Sequence, residues 1–193
     1  NPSYSTPLCV SMQLYWHRRT LQPSPNPGLS TAFTAAKRDN SCVVPVFVLD
    51  DAILSLADGL GVAFMLGSLH ELRDWYRGHG GDIVIQREDP TDVVDRLART
   101  LGVERVVWNE DYSQLARGRD RAVQRALTRT GVAYTSVPND QPTEMKSATT
   151  LPSNPEAYLA TPHALDIETE AVPRLSELSE GEYDSAPLTA GTE

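Results

Sequence analysis

The chain has 193 residues, of which 40% are hydrophobic, and its 17 basic and 26 acidic side chains give a net charge of −9. This length is sufficient to bury a core without disulfides or a structural metal, and no apolar run approaches the roughly 18 residues that a membrane span requires. Cys9 and Cys42 stand in no CxxC motif or Cys/His cluster, which argues against a disulfide scaffold and a zinc finger. We expect a cytoplasmic globular protein, without a signal peptide at its start.

Five short apolar runs predict β-strands. Their hydrophobicity is nearly continuous rather than alternating, which is typical of strands buried on both faces of a parallel sheet. Pro45 lies inside the second run, and because proline removes a ladder donor we expect it at a strand start or a bulge. The predicted strands cover residues 12–16, 42–49, 82–86, 105–108 and 132–137.

Segments of helical periodicity lie between these runs. Asp89 and Pro90 form an N-cap and a first helical residue, and glycines at 78, 102 and 131 follow helix ends. The predicted helices cover residues 28–37, 63–77, 90–101 and 114–130. This alternation predicts an α/β fold, a doubly wound, Rossmann-like sheet of five parallel strands with helices on both faces.

The charge is concentrated in the C-terminal part of the chain. Residues 1–140 hold 15 basic and 16 acidic side chains, whereas residues 141–193 hold 2 and 10. The second segment is rich in Pro, Ser and Thr, and we expect an acidic, largely irregular tail, disordered or a linker, because it offers little apolar surface. The expected organisation is an N-terminal extension (1–11), an α/β domain (12–140) and an acidic tail or interdomain linker (141–193). The acidic tail also argues against direct DNA binding by this chain.

Polar and aromatic residues follow the central strands of the predicted sheet. Doubly wound sheets bind ligands outside the carboxyl ends of their strands, where the order 3-2-1-4-5 reverses direction between strands one and four. Residues 17–19 follow strand one, residues 109–112 follow strand four, and strand two contributes Phe47 and Asp50. Aromatic faces beside hydrogen-bonding groups suit a flat conjugated ring such as a flavin, a pterin or a nucleobase. Alternatively, the charged residues form ion pairs that tie loops across the sheet edge.

The signatures of several catalytic chemistries are missing from the sequence. No GxGxxG opens a helix after the first strand, and neither a GxxxxGK[ST] phosphate loop nor a GxSxG nucleophile elbow occurs. The four histidines form no pair at metal-ligand spacing. We therefore predict no catalytic residue and no metal ligand in this chain.

A series of motifs resembles the photolyase/cryptochrome family over about residues 12–140. The motifs are LYWHRR at 14–19, VPVFVLD at 44–50, AFML at 63–66, GGD at 80–82 and WNEDY at 108–112. Residues 172–178 (VPRLSEL) resemble the interdomain linker of that family. Thr20, Gln22 and Gly61 stand where the family has charged residues.

The resemblance implies a light-harvesting function. In this family the N-terminal α/β domain holds an antenna pigment that passes excitation to FAD in a separate helical domain, where the reduced flavin splits pyrimidine dimers in DNA. We therefore expect the antenna-chromophore-binding domain of a deoxyribodipyrimidine photolyase or cryptochrome, here without the FAD-binding catalytic domain. The resemblance places Phe47 and Asp111 at the pigment, with His17, Leu49 and Asn109 as further cofactor-binding candidates.

The resemblance also suggests cofactors and partners. The expected chromophore is 8-hydroxy-5-deazaflavin, with methenyltetrahydrofolate or FMN as alternatives, and FAD is expected only with a separate flavin-binding domain as partner. No membrane partner is expected. Whether the chain takes part in an enzyme depends on that flavin domain, which this chain lacks. Two other interpretations stay open, namely a nucleotide-binding α/β module and a truncated, non-functional photolyase remnant.

Overall fold

The computed structural model describes residues 9–138, 151–160, 162–178 and 182. These residues form β1 (Ser11–His17), β2 (Ser41–Val48), β3 (Val84–Gln86), β4 (Arg105–Asn109) and β5 (Ala133–Val137). The helices are α1 (Pro27–Asp39), α2 (Asp51–Leu54), α3 (Gly59–Gly78), α4 (Pro90–Leu101) and α5 (Gln114–Thr130). Among the described residues, every helix is too short or too polar to cross a bilayer.

The five strands form one parallel sheet in the order β3-β2-β1-β4-β5, which confirms the predicted fold class and strand order. The register places His17 at the end of β1 beside Phe47 of β2, and Trp16 beside Trp108 of β4. Because all strands are parallel, their carboxyl ends meet at one edge of the sheet, and the winding reverses between β1 and β4.

Helices cover both faces of the sheet. Phe33 of α1 and Leu69 of α3 pack in one apolar layer, and Val94 of α4 and Leu127 of α5 pack in the other. All 8 residues of β2 are buried between these layers. This burial on both sides explains why the β2 sequence is continuously apolar.

Pro45 lies inside β2 rather than at a strand start or a bulge, and it pairs with Tyr15 of β1. The backbone N–H of Val43, two residues earlier, donates to Tyr158 on the side away from β1. By the two-residue period of a strand, the nitrogen of Pro45 faces the same side. On that side of β2, strand β3 pairs with β2 only from Val46 onward. Pro45 therefore lies before the β2–β3 ladder, and its missing N–H removes no hydrogen bond from it.

The predicted helix boundaries agree with the structure for α4 and α5 and differ around α2 and α3. Helix α2 was not predicted, and it begins where the Asp50 side chain accepts a hydrogen bond from the N–H of Ala52. Helix α3 begins at Gly59 rather than at residue 63, because Asp58 accepts a hydrogen bond from the N–H of Gly61. In both cases an acidic side chain in an apparent loop caps a helix.

The first described residues continue the pairing between β1 and β2. The N–H of Val10 donates to the carbonyl of Asn40 at 3.2 Å. Cys9 and Cys42 lie next to each other with their Cα atoms 5.5 Å apart, which is an ordinary spacing for a disulfide.

The described part of the acidic C-terminal segment packs against the α/β domain. It is irregular as predicted, apart from short 3₁₀ turns. Leu159 is nevertheless buried in the core and forms an isolated bridge with Val43 of β2, and Val172 and Leu178 are also buried. The expectation that this segment buries little apolar surface is therefore wrong for the described residues, because a few spaced apolar side chains anchor an otherwise polar chain.

The same segment covers the open edge of β3. The N–H of Ile85 donates to the Thr169 hydroxyl at 2.8 Å, and the N–H of Glu170 donates to the Ile85 carbonyl at 2.8 Å. Arg73 of α3 donates to the carbonyl of Glu170 at 2.9 Å and forms a 2.9 Å ion pair with Asp82. These bonds occupy backbone groups that an edge strand would otherwise expose.

Candidate ligand-binding site

A cavity of about 790 Å³ lies at the carboxyl ends of the central strands. Residues at the ends of β1, β2 and β4 line it together with residues of α2, α3 and α5. This is the position predicted from the strand order. Of the candidate ligand residues, His17, Phe47, Leu49 and Asp111 line the cavity, and Asn109 does not.

A large part of the cavity wall is apolar. Phe47 and Leu49 at the end of β2 are 5% and 2% exposed, so only a small part of each side chain reaches the cavity. Helices α2 and α3 add Leu54 and Met65, and Phe64 at the cavity is 77% exposed. An aromatic ring among aliphatic side chains suits the face of a flat conjugated ligand.

His17 is a fully buried part of the wall. Its Nδ1 lies 3.2 Å from the carbonyl oxygen of Thr20, and its Nε2 lies 2.7 Å from the Tyr76 hydroxyl. Since a carbonyl oxygen can only accept, Nδ1 carries the proton and Nε2 accepts a hydrogen bond from Tyr76. Burial lowers the pKa of His17 to about 4, so the ring is neutral at pH 7 and presents no charge to a ligand.

Two ion pairs connect the strand ends to α5. Arg18 pairs with Asp120, and its guanidinium carbon lies 4.8 Å from the centroid of the Trp16 ring. Arg119 lies 2.5 Å from Asp50 at the end of β2. Burial lowers the pKa of Arg18 and raises that of Asp120, while their mutual attraction opposes both shifts. The alternative that the charged residues at this edge form ion pairs therefore describes Arg18 and Asp50, and it does not describe Arg19 or Asp111.

The Arg119–Asp50 pair leaves hydrogen-bonding capacity unused at the cavity. Within the described part of the chain, Arg119 Nη1 is buried and has no hydrogen-bond partner, whereas Asp50 Oδ2 contacts Arg119 Nη2 at 2.5 Å. A buried unsatisfied polar atom costs about 1–3 kcal/mol.

Asp111 and Arg19 also line the cavity, and neither forms an ion pair with a described residue. Asp111 is partly exposed, and its Oδ1 accepts a hydrogen bond from the N–H of Ser113 at 3.2 Å. No described residue hydrogen-bonds its second carboxylate oxygen, which is thus an acceptor within reach of a ligand. Arg19 is exposed and supplies a positive charge at the rim.

Asn109 holds α1 in place rather than lining the cavity. Its Oδ1 accepts a hydrogen bond from the N–H of Gly28 at 2.7 Å, and its Nδ2 donates to the Tyr15 hydroxyl at 2.9 Å and to Asn26 Oδ1 at 2.8 Å. These groups are buried. With all its polar atoms engaged, the Asn109 amide fixes the first turn of α1 against β1 and β4.

The helices that begin at this edge of the sheet all have side-chain caps. Asn26, Asp50, Asp58, Asp89 and Ser113 each accept a hydrogen bond from a first-turn backbone N–H. A bound phosphate would use these same N–H groups and the positive end of the helix dipole. The geometry therefore gives no support to the nucleotide-binding alternative.

The loop after β1 is held by neutral groups at the positions where the sequence departs from the family pattern. The carbonyl of Thr20 faces His17. The carbonyl of Gln22 accepts from Asn26 Nδ2 at 3.0 Å, and its side chain donates to the Pro25 carbonyl at 3.1 Å. The replaced charges are thus not needed for an ordered loop.

Sequence reasoning missed Arg119 and the apolar wall from α2 and α3. Arg119 is one of five arginines in α5, and its spacing does not distinguish it from the others. The wall residues Leu54 and Met65 resemble ordinary core positions in the sequence. For α2 the available signal was Asp50 as an N-cap, because an acidic residue before Asp51 is typical of a helix start.

Comparison with known proteins identifies the family. A sequence model described as DNA photolyase matches residues 13–159, which include the whole sheet and the buried Leu159. The chain belongs to the DNA photolyase family. This assignment agrees with the parallel sheet and its helices, which have the architecture of photolyase N-terminal domains.

The photolyase relatives are much longer than the part that aligns. The chain is 44% identical over 128 residues to a deoxyribodipyrimidine photo-lyase of Halobacterium salinarum, and the alignment covers 64% of this chain and 27% of that protein. It is 36% identical over 121 residues to a deoxyribodipyrimidine photo-lyase of a Synechococcus species, covering 62% of this chain and 24% of that protein. The chain thus spans about a quarter of the length of these two relatives.

Solved photolyase structures share the fold. The archaeal photolyase from Sulfolobus tokodaii matches with a TM-score of 0.60 at 26% identity over 66% of this chain and 29% of that one. That structure contains two FAD molecules and implies a novel light-harvesting cofactor. A class III photolyase from Agrobacterium tumefaciens matches with a TM-score of 0.64 at 20% identity, over 90% of this chain and 39% of that one, and this likeness shows the fold alone.

Proposed function

We propose that this photolyase-family domain binds an antenna chromophore in the cavity at the ends of β1, β2 and β4. The observation that carries the proposal is the cavity itself, with a volume of about 790 Å³, apolar walls and a few polar groups. Ligand pockets commonly have volumes of about 300–1,000 Å³, so a three-ring pigment is of suitable size. A bound pigment of this kind supplies light absorption and transfer of the excitation energy.

The residues at the cavity fit a deazaflavin or flavin ring. Phe47 and Leu49 would contact the apolar face of the ring, and the Asp111 carboxylate would accept a hydrogen bond from a ring N–H. His17 contributes a neutral wall. Asn109, the remaining candidate, would act through the position of α1 and not through the ligand.

We propose 8-hydroxy-5-deazaflavin as the pigment, with methenyltetrahydrofolate and FMN as the alternatives that the test separates. The capped helix N termini support a ligand without phosphate groups at this edge. A nucleobase with a long phosphate tail would instead need free backbone N–H groups there.

In the proposed function the excitation passes to FAD in a separate flavin-binding domain, and DNA repair requires that domain. The relatives support this division, because the aligned part is only 27% of the Halobacterium salinarum photo-lyase. We propose the α/β domain at 12–140 as the pigment-binding unit and the acidic segment at 141–193 as the connection to the flavin domain. The docking of Leu159 on β2 would fix where that connection begins.

Titration of the full chain with 8-hydroxy-5-deazaflavin, methenyltetrahydrofolate and FMN in turn, followed by pigment fluorescence, tests the proposal. Asp111→Asn should weaken binding about tenfold or more, since tenfold corresponds to about 1.4 kcal/mol and hydrogen bonds to charged groups contribute about 1.5–3 kcal/mol. Phe47→Leu should weaken binding several-fold, since an aromatic contact contributes about 0.5–1.5 kcal/mol. Asp74→Asn removes the same charge from an exposed site on α3 and should leave the affinity unchanged.

Circular dichroism confirms that each variant is folded before its affinity is interpreted. Equal affinity of the wild type, Asp111→Asn and Phe47→Leu would show that the site is wrong. If folded wild type binds none of the three pigments, the proposed function fails and the remnant interpretation stands. Tight binding of AMP without pigment binding would favour the nucleotide-binding module.

A further inference from the structure

Helix α5 carries a line of arginines that takes no part in the cavity wall. Arg117, Arg121, Arg125 and Arg129 follow at four-residue spacing, and all four are exposed. At a rise of 1.5 Å per residue the line extends over about 18 Å of helix. We call these four residues the arginine stripe. Arg119, the other arginine of α5, is turned to the cavity and contacts Asp50.

The arginine stripe lacks the acidic partners that other exposed arginines have. No residue of the stripe forms an ion pair with any described residue. On α4, in contrast, Arg96 pairs with Glu88 and Arg99 pairs with Asp95, both at 2.7 Å. Like charges at this spacing weaken a helix, so a bound polyanion would relieve a repulsion that the fold leaves in place.

Three acidic residues lie beside the N-terminal end of the stripe. Glu110, Asp111 and Asp120 border a shallow cavity of about 280 Å³ together with Arg117 and Arg121. Glu110 accepts from the Ser136 hydroxyl at 2.9 Å, and Asp120 pairs with Arg18. The two arginines toward the C-terminal end of α5 lie outside this cavity, and they are the strongest candidates for anion contacts.

The arginine stripe and the described part of the acidic segment lie toward opposite edges of the sheet. The described acidic segment bonds to β3 and α3 through Thr169, Glu170 and Glu182. Helix α5 precedes β5, and β3 and β5 are the two opposite edges of the sheet. The expectation against DNA binding rested on the acidic tail, and the described part of that tail lies away from the arginine stripe.

We propose that the arginine stripe binds the phosphate backbone of duplex DNA. A guanidinium group binds phosphate through paired hydrogen bonds, and a regular line of them matches a regular line of phosphates. A membrane surface fits less well, because an interfacial helix needs an exposed apolar face, and Val123 and Leu127 of α5 are buried in the core. Contacts to phosphate groups carry no sequence information, so binding of this kind is independent of sequence.

The test compares two double variants that remove the same charge. Fluorescence anisotropy of a labelled DNA duplex, titrated with the full chain at rising KCl, gives the affinity and its salt dependence. Arg125→Gln/Arg129→Gln should weaken binding about tenfold and flatten the slope of log K against log [salt] by about 2, since each phosphate contact contributes about 0.9. Arg96→Gln/Arg99→Gln on α4 should change the affinity by less than roughly twofold, because the neighbouring carboxylates of Glu88 and Asp95 repel phosphate.

Each other outcome overturns the proposal. Equal loss in both double variants would indicate a response to net charge alone, and no binding by wild type at the lowest salt would exclude the interface. Binding to phosphatidylserine vesicles that is lost in Arg125→Gln/Arg129→Gln, with DNA binding unchanged, would assign the stripe to a membrane surface. Circular dichroism verifies folding, and unchanged pigment affinity in both variants separates this result from the chromophore site.

Discussion

His17 is a residue whose chemistry depends on its burial. The pKa of an ordinary histidine is 6.5, whereas burial lowers the pKa of His17 to about 4. Between these values the unfolded chain binds a proton that the folded chain excludes, so the free energy of unfolding rises with pH. The stability that comes from the neutral ring is complete above pH 6.5 and is lost as the pH falls toward 4.

We predict that His17→Gln reduces the acid sensitivity of the fold. Glutamine keeps a neutral hydrogen-bonding side chain and does not titrate. Between pH 7 and 4.5 the free energy of unfolding should fall by about 2 kcal/mol more in wild type than in the variant, at about 1.36 kcal/mol per pKa unit. Urea unfolding at several pH values measures this difference. His70→Gln, at an exposed position of α3, should behave as wild type, and a His17→Gln curve parallel to wild type would refute the assignment.

At the scale of an element, the start of α1 depends on close contact between helix and sheet. A Cβ atom at Gly28 would lie 2.6 Å from Asn109 Oδ1 and 3.0 Å from a ring carbon of Tyr15. Both neighbours are buried and hydrogen-bonded, so neither can move without breaking other bonds. Gly28 is needed here because of space and not because of backbone conformation.

We predict opposite effects for two Gly-to-Ala changes. Gly28→Ala should destabilise the domain by about 2 kcal/mol, because it displaces a buried amide whose lost hydrogen bonds cost about 1–3 kcal/mol each. Gly67→Ala in α3 meets nothing within 4 Å and should stabilise it by about 0.5–1 kcal/mol through helix propensity. Chemical denaturation at pH 7 distinguishes the two, and a neutral Gly28→Ala would contradict the packing described.

At the scale of the whole molecule, the C-terminal segment contributes to the core of the α/β domain. Leu159 is 1% exposed and packs in the apolar layer between the sheet and helices α1 and α3. We predict that Leu159→Ala lowers the free energy of unfolding by about 2–5 kcal/mol, the usual range for a leucine removed from a core. Leu60→Ala, at a leucine that is 71% exposed, should change it by less than about 0.5 kcal/mol. Equal stability of the two variants would show that the segment does not dock.

The location of the cavity could be predicted because local patterns identify the strands and the common order of doubly wound sheets shows which strand ends meet. Continuous apolar runs identify buried parallel strands, and the strand order places Phe47 and Asp111 at one edge of the sheet. Asn109 was placed at the same edge, but the pattern could not show that its amide points to Gly28 instead of the cavity. Helix α2 was missed because a helix this short has too few residues for a periodic signal.

The sequence by itself determined the α/β class, the parallel sheet, the acidic C-terminal segment and the edge where a ligand would bind, since each depends on periodicity, composition or chain order. Only the tertiary structure decided that Arg18 pairs with Asp120, that Leu159 joins the core and that the arginine stripe has no acidic partner among the described residues. Such contacts join residues far apart in the chain. Their energies depend on distance and burial, and neither quantity is contained in the local pattern of residues.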